Sequence, residues 1–115
     1  MPDDKPLLDS DTMYRKLMEA GEVWADTKAA YQALNDSTAS VLADLTQGYR
    51  DGQDNLSVAG AETMARRSQS YRDHLASVSV AHKAYLRAQV RYDSLKTLIE
   101  LRRSEESSRR AEMRI

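Results

Sequence analysis

The sequence predicts an all-α protein, a long antiparallel helical hairpin whose second helix is the longer and which self-assembles through coiled-coil-like packing. Three observations lead there. Apolar residues recur every seven positions in two separate stretches, the only prolines are Pro2 and Pro6, and turn-forming residues cluster at a single place between the stretches. No β-branched or aromatic run announces a strand.

The first helix is expected over residues 10–48, after a flexible segment at 1–9. Leu17, Trp24, Tyr31, Thr38 and Leu45 share one register, and Ala20, Thr27, Leu34 and Val41 follow three residues behind. Such spacing describes the seam of a coiled coil or helix bundle. Asp9, Ser10 and Asp11 suit the start, because short polar side chains cap free backbone N–H groups and carboxylates favour the positive end of the helix dipole. Gly48 suits the end. Residues 35–40 are weak helix formers and allow a kink.

Residues 49–56 carry no periodicity and are rich in Gly, Asp and Asn, so the chain is expected to reverse there. The second helix follows from residue 57 to the end, 115. Tyr71, Val78, Tyr85, Tyr92 and Ile99 stand one heptad apart, and His74, Ala81, Ala88 and Leu95 supply the companion register. If two unbroken helices fold back on each other, Trp24 falls near Ala81 and Ala84, and Tyr85 near Ala20 and Gly21. Large side chains then meet small ones. The same arithmetic leaves the chain from Thr97 onward, with Leu98, Ile99 and Leu101, in need of another molecule.

A chain of 115 residues with 30% charged residues and no phenylalanine cannot build a thick core. A single hairpin has one buried seam, and a second layer is normally required. A homo-oligomer is therefore expected, its number left open. Trp24, Tyr31, Tyr71, Tyr85, Tyr92, Leu95 and Ile99 are the expected core and oligomer seam. No stretch is apolar enough to span a bilayer, so no membrane partner is expected and the cytoplasm is the default compartment, the host cytoplasm if the chain is phage-encoded.

Catalytic inventories come up empty. His74 and His82 are eight positions apart with no carboxylate completing a helical metal pair, and there is no cysteine, P-loop, nucleophile elbow or dinucleotide fingerprint. Asp51-Gly52-Gln53-Asp54-Asn55 lacks the alternating ligands and closing glutamate of a calcium loop. The expectation is a non-enzyme with no metal and no cofactor.

Charge is distributed unevenly. Residues 1–60 hold 5 Lys/Arg and 11 Asp/Glu, whereas residues 61–115 hold 12 and 7. Lys83, Arg87 and Arg91 form a row at four-residue steps with no acid at i+4, and Lys96, Arg103 and Arg110 form another at seven-residue steps beside Arg102, Arg109 and Arg114. Glu100, Glu105, Glu106 and Glu112 interleave the second row and can pair with it. The first row is the cleaner candidate for holding phosphates. Tyr71, Tyr85 and Tyr92 could stack on bases, but their heptad spacing assigns them to a helix interface.

The phrases Tyr71-Arg72-Asp73-His74-Leu75, Ala81-His82-Lys83-Ala84-Tyr85-Leu86-Arg87-Ala88, Tyr92-Asp93-Ser94-Leu95-Lys96 and Ile99-Glu100-Leu101-Arg102-Arg103, with the early Trp24 and the loop containing Gly48 and Gly52, resemble in layout the UvsY family of phage recombination mediators. The resemblance implies protomers assembled into a ring that binds single-stranded DNA and helps load a recombinase. That family carries its DNA-binding cations around the end of the first helix, where this chain has only Arg50. Arg50, Arg66 and Arg67, expected near the hairpin tip, are the nearest replacements, with the Lys83, Arg87 and Arg91 row beyond. The expected function is thus a phage-type recombination accessory protein that binds single-stranded DNA as a helical oligomer. The alternative is a protein–protein interaction module, an inhibitor of a host defence enzyme or an assembly chaperone, with no nucleic-acid binding.

Overall fold

A computed structural model describes residues 9–114. The expected flexible segment lies outside the described residues except for Asp9, as does Ile115. The protein is all-α, and among the described residues there is no strand. Four helices follow in order: α1 (Ser10–Asp36), α2 (Thr38–Asp51), α3 (Val58–Arg67) and α4 (Gln69–Met113).

Each expected long helix is interrupted once, and both interruptions are serines. At Ser37 the hydroxyl donates to the Leu34 carbonyl at 2.7 Å while the backbone stays in the right-handed helical region, φ −77° and ψ −10°. Serine back-bonding of this kind bends a helix without stopping it. At Ser68 the backbone is extended, φ −69° and ψ 152°. Its hydroxyl donates to the Ala65 carbonyl at 2.6 Å and accepts the Tyr71 N–H at 3.2 Å, so one side chain closes α3 and opens α4.

The turn also differs from the expected one. Gly48 lies inside α2, which continues through Asp51 to Gly52, and Gly52 adopts φ −84° rather than a left-handed conformation. The connection is the short stretch between Gly52 and Ser57. Ser57 then caps α3, its Oγ accepting the Gly60 N–H at 3.0 Å. At the other end of the described chain, Asp9 Oδ1 accepts the Thr12 N–H at 2.7 Å, and this bond holds the Asp9 carboxyl below the usual carboxylate range.

The chain divides into two units, Thr27–Tyr85 and the remainder, Met1–Asp26 with Leu86–Ile115. In the first of these, α2 packs against α3, and α1 pairs with α4 through Tyr31, whose ring stacks on His82 at 4.5 Å and on Tyr85 at 5.9 Å. Thr38 Oγ1 meets His74 Nε2 at 2.9 Å. Ala61, Ala65 and Tyr71 are buried there. In the other unit Trp24 lies against Tyr92, ring centroids 5.1 Å apart, and Arg102 reaches the Met13 sulfur at 3.6 Å. Met13, Ala20, Ala88 and Ile99 are buried. In both units the α4 partner falls in number as the residue of the first arm, in α1 or α2, rises, which defines antiparallel hairpin pairing.

The register departs from that of a straight two-helix hairpin. Trp24 meets Tyr92 rather than Ala81 and Ala84, and Tyr85 meets Tyr31 rather than Ala20 and Gly21. The displacement is about three helical turns. The return arm is not one helix, and the residues spent on the turn, on α3 and on the joint at Ser68 carry each partner further along α4. Aromatic rings consequently face aromatic rings, and the small residue in contact is Gly21, where an added Cβ would stand 3.3 Å from Tyr92 Cε2. Arg103 sits 5.2 Å above the Tyr14 ring. The chain beyond Thr97 therefore does find partners within the molecule, and Ile99 is buried while Leu98 and Leu101 stay exposed.

Candidate functional site

No residue of the seam is sealed from solvent in the way a globular core seals its largest side chains. Trp24, Tyr31, Tyr85, Tyr92 and Leu95 are half-buried, and only Tyr71 and Ile99 among the seven expected seam residues are buried. No large side chain of the described residues is fully enclosed. The heptad positions are the least exposed of their helices, but one layer of contact covers a side chain on one flank only.

The candidate cations are outside this seam. Arg50 is in the last turn of α2, beside the connection, whereas Arg66 and Arg67 are in the last turn of α3, about 12 Å further along that helix from its start. The structure thus does not gather Arg50, Arg66 and Arg67 at the tip. Arg66 is also engaged: its guanidinium pairs with Glu62 at 2.8 Å, which raises its pKa above the ordinary arginine value. That pair lies one turn apart on an exposed face, where such contacts add little stability.

Arg67 and Lys83 in the one unit, and Arg87 and Arg91 in the other, are exposed, and among the described residues none of them has a carboxylate within ion-pairing distance. Their helical neighbours explain this for α4. Positions three and four residues from Lys83, Arg87 and Arg91 hold no acid.

The charge asymmetry along the chain is largely cancelled inside each unit. In the described part of the unit formed by Met1–Asp26 and Leu86–Ile115, the α1 portion holds two cations and five anions and the α4 portion eight and five. Thr27–Tyr85 holds six of each. Antiparallel pairing accounts for it, since the acidic arm lies beside the basic one.

Among the described residues no group of three or more His, Asp or Glu is placed to hold a metal. His74 and His82 are occupied in helix pairing, the one bonded to Thr38 and the other stacked on Tyr31. The concave surfaces are open grooves rather than enclosed chambers. One, of about 360 Å³, is bordered by Asp9, Tyr14, Ile99, Arg102, Arg103 and Glu106. Another, of about 500 Å³, runs between α1 and α4 over Ala20, Val23, Ala88, Leu95 and Leu98, with Lys16, Glu19 and Arg91 on its rim.

What sequence reasoning missed was this second groove. The signal was available, because Lys16 and Val23 on α1 and Arg91 and Leu98 on α4 form seven-residue pairs of their own, one helical position beside the seam. No helix of the described residues is long and apolar enough to cross a membrane. Comparison of the chain with protein-family models, with curated proteins and with solved structures finds no match.

Proposed function

We propose that the protein is a non-enzymatic accessory protein of phage-type DNA recombination, which self-associates through its helices and holds single-stranded DNA by exposed cations. The observation that carries this reading is the set Arg67, Lys83, Arg87 and Arg91: outward, charged and engaged by no carboxylate among the described residues. Cations held off from anions can exchange their counterions for phosphates, the dominant source of affinity in sequence-tolerant binding. The thin seam supports the oligomeric part, since a hairpin with no fully enclosed large side chain among its described residues gains stability from a second layer. A recombinase, or another protein of the same process, is the natural further partner.

The test is anisotropy of a labelled single-stranded oligonucleotide over a salt series, with duplex of the same length alongside. Tight binding that prefers the single strand and weakens steeply with salt is expected. Arg67→Ala with Arg87→Ala removes two phosphate contacts and flattens the log–log salt slope by about 1.4. No binding at low salt ends this reading.

A second reading has an observation of its own. Equal numbers of cations and anions among the described residues of each unit suit a surface that recognises a charged protein rather than a polyanion. Under it the protein is an interaction module, such as an inhibitor of a host defence enzyme or an assembly chaperone. Binding to a protein partner with no affinity for DNA separates it from the first.

A further inference from the structure

In the unit formed by Met1–Asp26 and Leu86–Ile115, apolar surface continues past the seam. Val23 is 51% exposed, Leu98 42% and Leu101 56%. Val23 and Leu98 form opposite walls of the groove whose floor is Ala20, Ala88 and Leu95. Alanines on a floor between larger walls let another helix approach closely, as small residues do wherever helices pack tightly.

The surroundings of the groove are charged in a pattern that says what covers it. On the α1 side stand Lys16, Glu19 and, one turn beyond Val23 on the same face, Asp26, two carboxylates to one cation. On the α4 side stands Arg91. Among the described residues Glu19 and Asp26 on α1 and Arg91 on α4 form no ion pair, so carboxylates on one edge and a cation on the other lie side by side without pairing.

We infer that a second copy of this chain occupies the groove, two protomers packing groove to groove about a two-fold axis parallel to the helices. Under that symmetry α1 of one protomer covers α4 of its partner, and each residue keeps its height along the axis. Trp24 marks the height of Tyr92, so Asp26 lies level with residue 90 of the opposing α4 and within one residue of Arg91. Asp26 of each protomer therefore pairs with Arg91 of the other, and Val23 and Leu98 of both are buried. The inference rests on the oligomeric part of the proposed function and specifies the surface used.

Sedimentation equilibrium of the full chain tests it, with helix content followed by circular dichroism. The wild type is expected at twice 13.0 kDa, and Leu98→Asp as a folded monomer, its dimer dissociation constant raised at least about thirtyfold, as for a central interface residue. Asp26→Arg is expected to weaken the dimer and Asp26→Arg with Arg91→Asp to restore it. Should Leu98→Asp fail to fold, the charge swap decides alone. A wild type that is monomeric at high concentration overturns the inference, as does an oligomer indifferent to Leu98→Asp or a swap that fails to rescue. Loss of DNA binding is read in a separate assay, so an oligomer that binds no DNA removes the nucleic-acid reading and leaves the interface standing.

Discussion

Two glycines inside helices offer a controlled comparison. Gly48 lies in α2 with nothing within 4 Å of where a Cβ would stand, whereas the Cβ added at Gly21 in α1 meets Tyr92 Cε2 at 3.3 Å and Cδ2 at 3.6 Å. Alanine exceeds glycine in a helix interior by about 1 kcal/mol, through lower backbone entropy in the unfolded chain. Gly48→Ala should realise most of that gain, and for a chain of this size about 1 kcal/mol corresponds to roughly 4 °C or more in Tm. At Gly21 the gain is opposed. The Tyr92 ring must withdraw by a few tenths of an ångström, and its other neighbour is the Trp24 ring at 5.1 Å. Displacing it costs part of an aromatic contact worth about 0.5–1.5 kcal/mol. Gly21→Ala is therefore expected to be neutral or destabilising. Urea and thermal unfolding by circular dichroism at matched protein concentration read both. Equal stabilisation by the two substitutions would refute the close approach of α1 and α4 at Gly21.

Ser57→Ala removes the acceptor of the Gly60 N–H and should cost about 1 kcal/mol, read by urea unfolding. Trp24→Ala removes a half-buried indole and its contact with Tyr92, and about 2–3 kcal/mol is expected, less than for a fully buried tryptophan. An unchanged midpoint would place Trp24 away from α4. Asp9 has a lowered pKa because its carboxylate accepts the Thr12 N–H, so its stabilising effect is present above the ordinary carboxylate pKa and is lost as pH falls through the lower folded-state value. In Asp9→Asn the cap persists without the charge, and amide exchange at Thr12 should lose that acid-side dependence.

The seam was legible because seven-residue periodicity reports directly on which side of a helix is covered. The positions of the two registers in each arm, from Leu17 to Leu45 and from Tyr71 to Ile99, are half-buried or buried throughout. The pairing of those registers was not legible. It depends on where the return arm loses residues, and Ser68 breaks that arm with neither a proline nor a glycine to mark it. A serine that bonds backward to Ala65 and forward to Tyr71 looks, in sequence, like any serine within a helical run. The break at Ser37, by contrast, falls within the weak helix formers of residues 35–40, where a kink is expected, whereas Gly48, expected to end the first arm, is an ordinary helical residue.

Charge connects these structural points to function. An asymmetry that looks like a strongly acidic half and a strongly basic half becomes, after folding back, a unit whose two helices carry opposite edges and no ion pair between them among the described residues. Such a surface attracts a polyanion along α4 only, and attracts another copy of itself along both helices. Arg91 belongs to both uses, on the rim of the apolar groove and among the cations free of carboxylates. Arg87 does not border that groove. Under the proposed function, self-association would take Arg91 and leave Arg87 for phosphate, so substitution of these two cations, one turn apart on one helix, would separate the proposed assembly from the proposed hold on nucleic acid.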